Sequence, residues 1–72
     1  MRFIEVFNRL LNNEKIKQTD LAKALNISRQ AITNLKKGIS LPSLDVLIGI
    51  AKFFDVSTDY LLGIEDEYGN KI

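Results

Sequence analysis

The chain has no cysteine, no histidine and no tryptophan, and a single proline. Without cysteine there can be no disulfide, and without cysteine and histidine the usual structural zinc sites are excluded. A chain of 72 residues is near the lower limit for a self-supporting hydrophobic core. Its stability must therefore come from helix packing, with a second subunit as the other source. No apolar run approaches the roughly 18 residues of a membrane span, so no membrane partner is expected. The N-terminal stretch MRFIEVFNRLLNNE mixes charges into its apolar pattern, unlike a signal peptide. The expectation is one soluble, cytoplasmic domain. The missing side chains bear on activity as well. Nucleophilic or metal catalysis has no cysteine, no histidine and no convergent carboxylate pair to use, so neither an enzyme nor a cofactor is expected. Glu65, Asp66 and Glu67 stand together, but adjacent acids in a tail do not make a site.

What is present is a hydrophobic share of 46%, which suits a folded globule rather than a disordered chain. The net charge of +1 hides an asymmetry. Residues 1–44 hold eight Lys/Arg and three Asp/Glu, a net of +5. Residues 45–72 hold two and six, a net of −4. Within 15–37 there are six basic residues against one acid, Asp20. A locally basic stretch in a nearly neutral chain hints at a nucleic-acid face.

The apolar spacing predicts an all-α domain of five short helices without a strand. The first runs from about Arg2 to Asn13, with Phe3, Ile4, Val6, Phe7, Leu10 and Leu11 giving one buried face. The second, about Gln18 to Leu25, buries Leu21, Ala22 and Leu25. It lacks a good N-cap, because Lys17 stands where Ser, Thr or Asp is expected. Asn26 suits a left-handed turn position. The third opens with Ser28 as N-cap and runs to about Lys37, with Ala31, Ile32 and Leu35 inward and Gly38 as stop. After the loop GISLP, Ser43 caps a fourth helix, about Leu44 to Phe54. Its expected core stripe is Leu44, Leu47, Ile48, Ala51 and Phe54, and Val46, Ile50 and Phe53 widen it beyond what a small bundle buries. Gly49 within it suggests a close helix approach. Ser57 or Thr58 caps a fifth helix through Leu62, stopped by Gly63. Residues 1–64 then form the domain, and 65–72 an acidic flexible tail.

The stretch QTDLAKALNISRQAITNLKK, residues 18 to 37, carries the functional signal. Leu21, Leu25, Ile27, Ile32 and Leu35 are spaced to point between two helices and close their angle. Ala22 is small where the second of the two helices crosses, and Asn26 can turn sharply at positive φ. Two helices joined at a steep angle by such a turn make a helix-turn-helix.

On these residues the chain resembles the lambda-repressor-like family of bacterial and phage regulators, the Cro/C1-type or XRE-like helix-turn-helix proteins. The stretch KKGISLPSLDVLIGIAKFFDVSTDYLLG is similar to the family's usual ending, so the resemblance covers about residues 2–64. It implies a compact five-helix fold that binds double-stranded DNA with its third helix in the major groove. By that resemblance Arg29, Gln30, Thr33 and Asn34 read base edges. Arg pairs with guanine O6 and N7, and Gln or Asn with adenine N6 and N7. Gln18, Ser28, Lys37 and Ser40 are the implied phosphate contacts. Lys17 and Lys15 add nonspecific charge. The departures are Lys17 where the family has Thr or Ser, Asn26 for Gly, Lys36 for an acid and Leu35 for an aromatic.

One recognition helix buries too little surface for tight specific binding, and dimers answer this by reading two half-sites. The family often dimerises through its fourth and fifth helices, so Val46, Ile50, Phe53, Tyr60 and Leu61 are the candidate interface of a homodimer. The leading functional expectation is a sequence-specific repressor binding an inverted-repeat operator. The alternative is an antitoxin-like interaction module, with a protein partner held alongside DNA.

Overall fold

A computed structural model of the chain describes residues 2–64, 68, 70 and 71. Among these are five helices and no strand: α1 (Phe3–Asn13), α2 (Gln18–Leu25), α3 (Arg29–Lys37), α4 (Leu44–Phe54) and α5 (Thr58–Leu62). The predicted boundaries hold to within one residue, since α1 begins at Phe3 with Arg2 as its cap position. The expected acidic tail falls largely on Glu65, Asp66 and Glu67, which lie outside the described residues. Beyond them, Lys71 makes an ion pair with Asp59 of α5.

Starts and stops follow local chemistry. The Oγ atoms of Ser28, Ser43 and Ser57 accept the backbone N–H of Ala31, Val46 and Tyr60 at 3.0, 3.2 and 3.0 Å. Each satisfies one of the orphan donors of a first turn. Arg2 and Lys17 make no such side-chain cap for α1 and α2. All five helices end the same way. A residue with φ between +53 and +78 follows the last turn (Lys15, Asn26, Gly38, Asp55 and Gly63). The N–H of the next residue then reaches back to a carbonyl five positions earlier, at 2.9–3.1 Å. This is the Schellman arrangement, which satisfies carbonyls the helix leaves open. The residue after each turn is a β-branched aliphatic: Ile16, Ile27, Ile39, Val56 and Ile64. Ile16, Ile27 and Val56 pack against the core, whereas Ile39 and Ile64 are exposed.

α1 packs on α3 and α5, α2 on α3 and α4, and α4 on α5. The shared core comprises Phe3, Val6, Phe7, Leu10, Leu11, Leu21, Ala22, Ile32, Leu35, Leu47, Ile50, Ala51 and Leu61. The Arg2 N–H donates to the Leu62 carbonyl at 3.0 Å, tying the start of α1 to the end of α5. At Gly49 a Cβ would meet Leu25 Cδ2 at 2.7 Å, so the close approach suggested by this glycine is to the end of α2.

Two sequence expectations for α4 and α5 are corrected. Ile50 and Leu61, both assigned to a dimer interface, have no exposed surface and sit in the core. Leu44 and Ile48, assigned to the core stripe, are 77% and 45% exposed. The apolar residues of α4 are too many to mark a single stripe, and the stripe is centred where α2 and α5 meet it, on Leu47, Ile50 and Ala51.

Candidate nucleic-acid interface

α3 is held from behind by Ile32 and Leu35, which are 0% and 4% exposed. With those two residues buried, the helical period turns Arg29, Gln30, Thr33, Asn34 and Lys37 away from the core. Arg29, Gln30 and Lys37 are exposed, while Thr33 and Asn34 are half-buried at the edge of the same face. The predicted base-reading residues are thus brought together on one side of one helix. The side chains of Gln30, Thr33 and Asn34 are already bonded within the protein. Gln30 Nε2 donates to Asn34 Oδ1 at 3.0 Å, one turn along the helix. This uses one amide hydrogen of Gln30 and leaves both of those of Asn34 for a partner. Thr33 Oγ1 donates to the Arg29 carbonyl at 3.2 Å.

Of the predicted backbone-contacting residues, Gln18 is tied directly to α3 and Ser28 caps it. Asn26 adopts φ 55° and ψ 45°, as its side chain favours. Gln18 opens α2 and is half-buried. Its Nε2 donates to Thr33 Oγ1 at 3.0 Å, and its Oε1 accepts from Lys36 Nζ at 3.3 Å. Ser28 Oγ is engaged as the cap of α3, and its own hydroxyl hydrogen has no role in that bond. Lys17 and Ser40 are exposed, as are the surface lysines Lys15 and Lys23.

Two residues emerge here that sequence reasoning had not placed. Asn8 Nδ2 donates to the Ile4 carbonyl at 2.9 Å and to the Lys36 carbonyl at 3.0 Å, so α1 grips the last turn of α3. Lys36 is half-buried, with its ammonium turned to Gln18. No local pattern marks either contact, because the Asn8 bond spans 28 residues and the Lys36 bond spans 18.

Of the other proposed interface residues, Val46 and Tyr60 are half-buried and Phe53 is 37% exposed. Tyr60 is occupied by α1, since Arg9 Nη2 donates to its hydroxyl at 3.0 Å. The larger exposed apolar side chains near α4 are Ile39, Leu41, Leu44 and Ile48. Among the described residues, no helix is long and apolar enough to cross a membrane, and no group of three or more acidic side chains converges on a metal position.

A helix with a polar outer face, joined by a tight turn to a shorter one that packs against it, is an architecture for entering a DNA groove. The comparisons agree. A family model described as helix-turn-helix matches residues 8–61. The chain belongs to this family of DNA-binding transcriptional regulators, in its lambda-repressor-like, Cro/C1 branch. It is 43% identical over 61 residues to an uncharacterized HTH-type transcriptional regulator of Methanocaldococcus jannaschii, spanning 85% of this chain and 89% of that protein. It is 36% identical to the HTH-type transcriptional activator BcrR of Enterococcus faecalis, covering 92% of this chain but only 32% of BcrR. Two solved structures share the fold. A transcriptional regulator from Listeria innocua superposes with a TM-score of 0.82 at 29% identity, covering 90% of this chain and 61% of that one. The P22 c2 repressor, in complex with a synthetic operator, gives 0.76 at 27% identity, covering 82% and 89%.

Proposed function

We propose that this chain is a sequence-specific repressor that binds an inverted-repeat operator as a homodimer and blocks a promoter by occupying it. The observation that carries this reading is the outer face of α3. Arg29, Gln30 and Asn34 stand side by side there, with the buried Ile32 and Leu35 fixing the helix behind them. Arg29 suits guanine, and the amides of Gln30 and Asn34 suit adenine. Gln18, Lys17, Ser28, Lys37 and Ser40 flank that face and contact the DNA backbone. The fold shared with an operator-bound repressor supports this direction of docking.

A dimer is supported by arithmetic. A single module of this size buries roughly 600–1,000 Å² on DNA, at the low end for specific binding. Two copies reading half-sites about one helical turn apart double that area. Leu41 in the loop before α4, with Leu44 and Ile48 in its first two turns, is exposed, and the three supply the apolar surface for a second copy. They replace Ile50 and Leu61 as the centre of the interface.

The experiment is selection from random duplex DNA with purified protein, repeated with Arg29→Ala and Asn34→Ala. The expected result is an enriched inverted repeat. Each variant should lose roughly 5- to 150-fold in affinity and relax preference at one position per half-site, matching the usual worth of a paired contact. Weak binding without sequence preference would refute base reading. Equilibrium sedimentation of Leu44→Glu with Ile48→Glu tests the dimer. The fold should survive, because both side chains are exposed, and self-association should be lost. A parent chain that stays monomeric with and without DNA would reassign the apolar strip to another protein, the antitoxin-like reading. A reporter that rises on expression of the protein would make it an activator.

A further inference from the structure

Thr33 is placed on the reading face, yet its hydroxyl is used twice inside the protein. It donates to the Arg29 carbonyl at 3.2 Å and accepts from Gln18 Nε2 at 3.0 Å. Lys36 Nζ donates to the other end of the same amide, Gln18 Oε1, at 3.3 Å. The three side chains form a chain across the α2–α3 angle, and all three are half-buried. A hydroxyl has one hydrogen. With that hydrogen on Arg29, Thr33 has none to give a base. The Gln18 amide, by contrast, keeps one N–H free, and both of its ends are clamped.

We propose that Thr33 and Lys36 are positioning residues. They brace the Gln18 amide so that its remaining N–H faces the DNA backbone, and Thr33 sets affinity through Gln18 while reading no base. This rests on the reading above that Gln18 contacts the backbone. A glutamine on the surface has many rotamers, and binding through it costs the entropy of choosing one. A clamp formed before DNA arrives removes most of that cost. Backbone contacts fix register and carry no sequence information of their own. The brace therefore acts equally on every DNA sequence, whereas a base-reading residue acts on one position.

The test is a double-mutant cycle of Thr33→Val and Gln18→Ala, each titrated against the selected operator, every single-base variant of it and an unrelated duplex. Thr33→Val keeps the shape and removes the hydroxyl. It should weaken all duplexes by the same factor, roughly three- to tenfold for one lost hydrogen bond. It should leave the ratios between duplexes unchanged and add nothing to Gln18→Ala. Thr33→Ser, which keeps the hydroxyl, should bind as the parent does. Far-ultraviolet circular dichroism controls for folding, and Thr33→Ala replaces Thr33→Val if the latter unfolds. A changed preference at one base pair would overturn the proposal by making Thr33 a reader. Full additivity with Gln18→Ala would overturn it by separating Thr33 from Gln18. If the parent shows no sequence preference, base reading fails, but the cycle on the unrelated duplex still decides the brace.

Discussion

Asn8 offers the sharpest test of how α3 is held. Its amide donates to the Ile4 carbonyl within α1 and to the Lys36 carbonyl in the last turn of α3, at 2.9 and 3.0 Å. The Lys36 carbonyl is one of the acceptors that a helix end leaves open. Asn8→Ala removes the interhelical bond, whose net worth is about 0.5–1.5 kcal/mol. Alanine recovers about 0.5 kcal/mol through its higher helix propensity. The expected net loss is therefore small, about 0–1 kcal/mol, or at most roughly 8 °C in Tm for a domain of this size. Asn8→Asp is nearly the same shape but at neutral pH offers only acceptors to two carbonyl oxygens. It loses the bond, adds repulsion and regains no propensity, so it should cost about 2 kcal/mol, roughly 8–16 °C. The half-buried position lets the carboxylate reach some water and keeps the cost near that figure. Thermal unfolding followed by circular dichroism, at neutral pH and near pH 3, reads both effects. In acid the new carboxyl carries a hydrogen and can donate again, so the gap between the two variants should narrow as pH falls. Equal losses for Asn8→Ala and Asn8→Asp at neutral pH, or a gap indifferent to pH, would refute the latch.

Three further outcomes are expected. Gly63→Ala should destabilise more than Gly38→Ala, although both have φ near +75°: its new Cβ meets Arg2 Cβ at 2.6 Å and the Arg2 backbone nitrogen at 3.2 Å, whereas at Gly38 it meets only the flexible Ile4 Cδ1 at 2.6 Å. Both carry about 1–2 kcal/mol for the left-handed backbone, and urea midpoints in the reverse order would sink the argument. Phe7→Ala, at a side chain with no exposed surface and a ring stacked 5.2 Å from that of Phe3, should cost about 3–5 kcal/mol, and circular dichroism at 25 °C should show a largely unfolded chain. Asn26→Gly should leave the urea midpoint unchanged or raise it, whereas Asn26→Ala should lower stability by about 1 kcal/mol, because only glycine takes φ 55° without a Cβ penalty; equal midpoints for the two variants would contradict the turn geometry.

Much of the fold was legible because its signals are local. A serine before an apolar stretch caps a first turn through its own Oγ, and this placed α3 and α4 from the sequence. The stops at Asn26, Gly38 and Gly63 were readable because these residue types favour positive φ. Lys15 and Asp55 turn the chain in the same way without that preference. The sign they share with the other three is the β-branched aliphatic that follows, a repeat visible in the sequence once its meaning is known. The polar outer face of α3 was equally legible, because the helical period of about 3.6 residues puts Arg29, Gln30 and Asn34 on the side turned away from the buried Ile32 and Leu35.

Tertiary structure decided what depends on neighbours far away in the chain. α4 carries apolar residues around most of its circumference, and no periodicity could say which of them face inward. Packing against α2 and α5 buried Ile50 and left Leu44 and Ile48 outside, exchanging the roles their spacing suggested. The same holds for polar groups. Thr33 reads as one more outward side chain until Gln18 arrives 15 residues away to occupy it. Asn8 and Lys36 acquire their roles only when α1 and α2 close on α3. By itself the sequence determined where each helix begins and ends and which side of α3 is polar, since caps, turns and helical period act within a few residues. Which of those polar groups remain free for DNA was settled by contacts between helices, because a hydrogen bond depends on distance in space and not on separation along the chain.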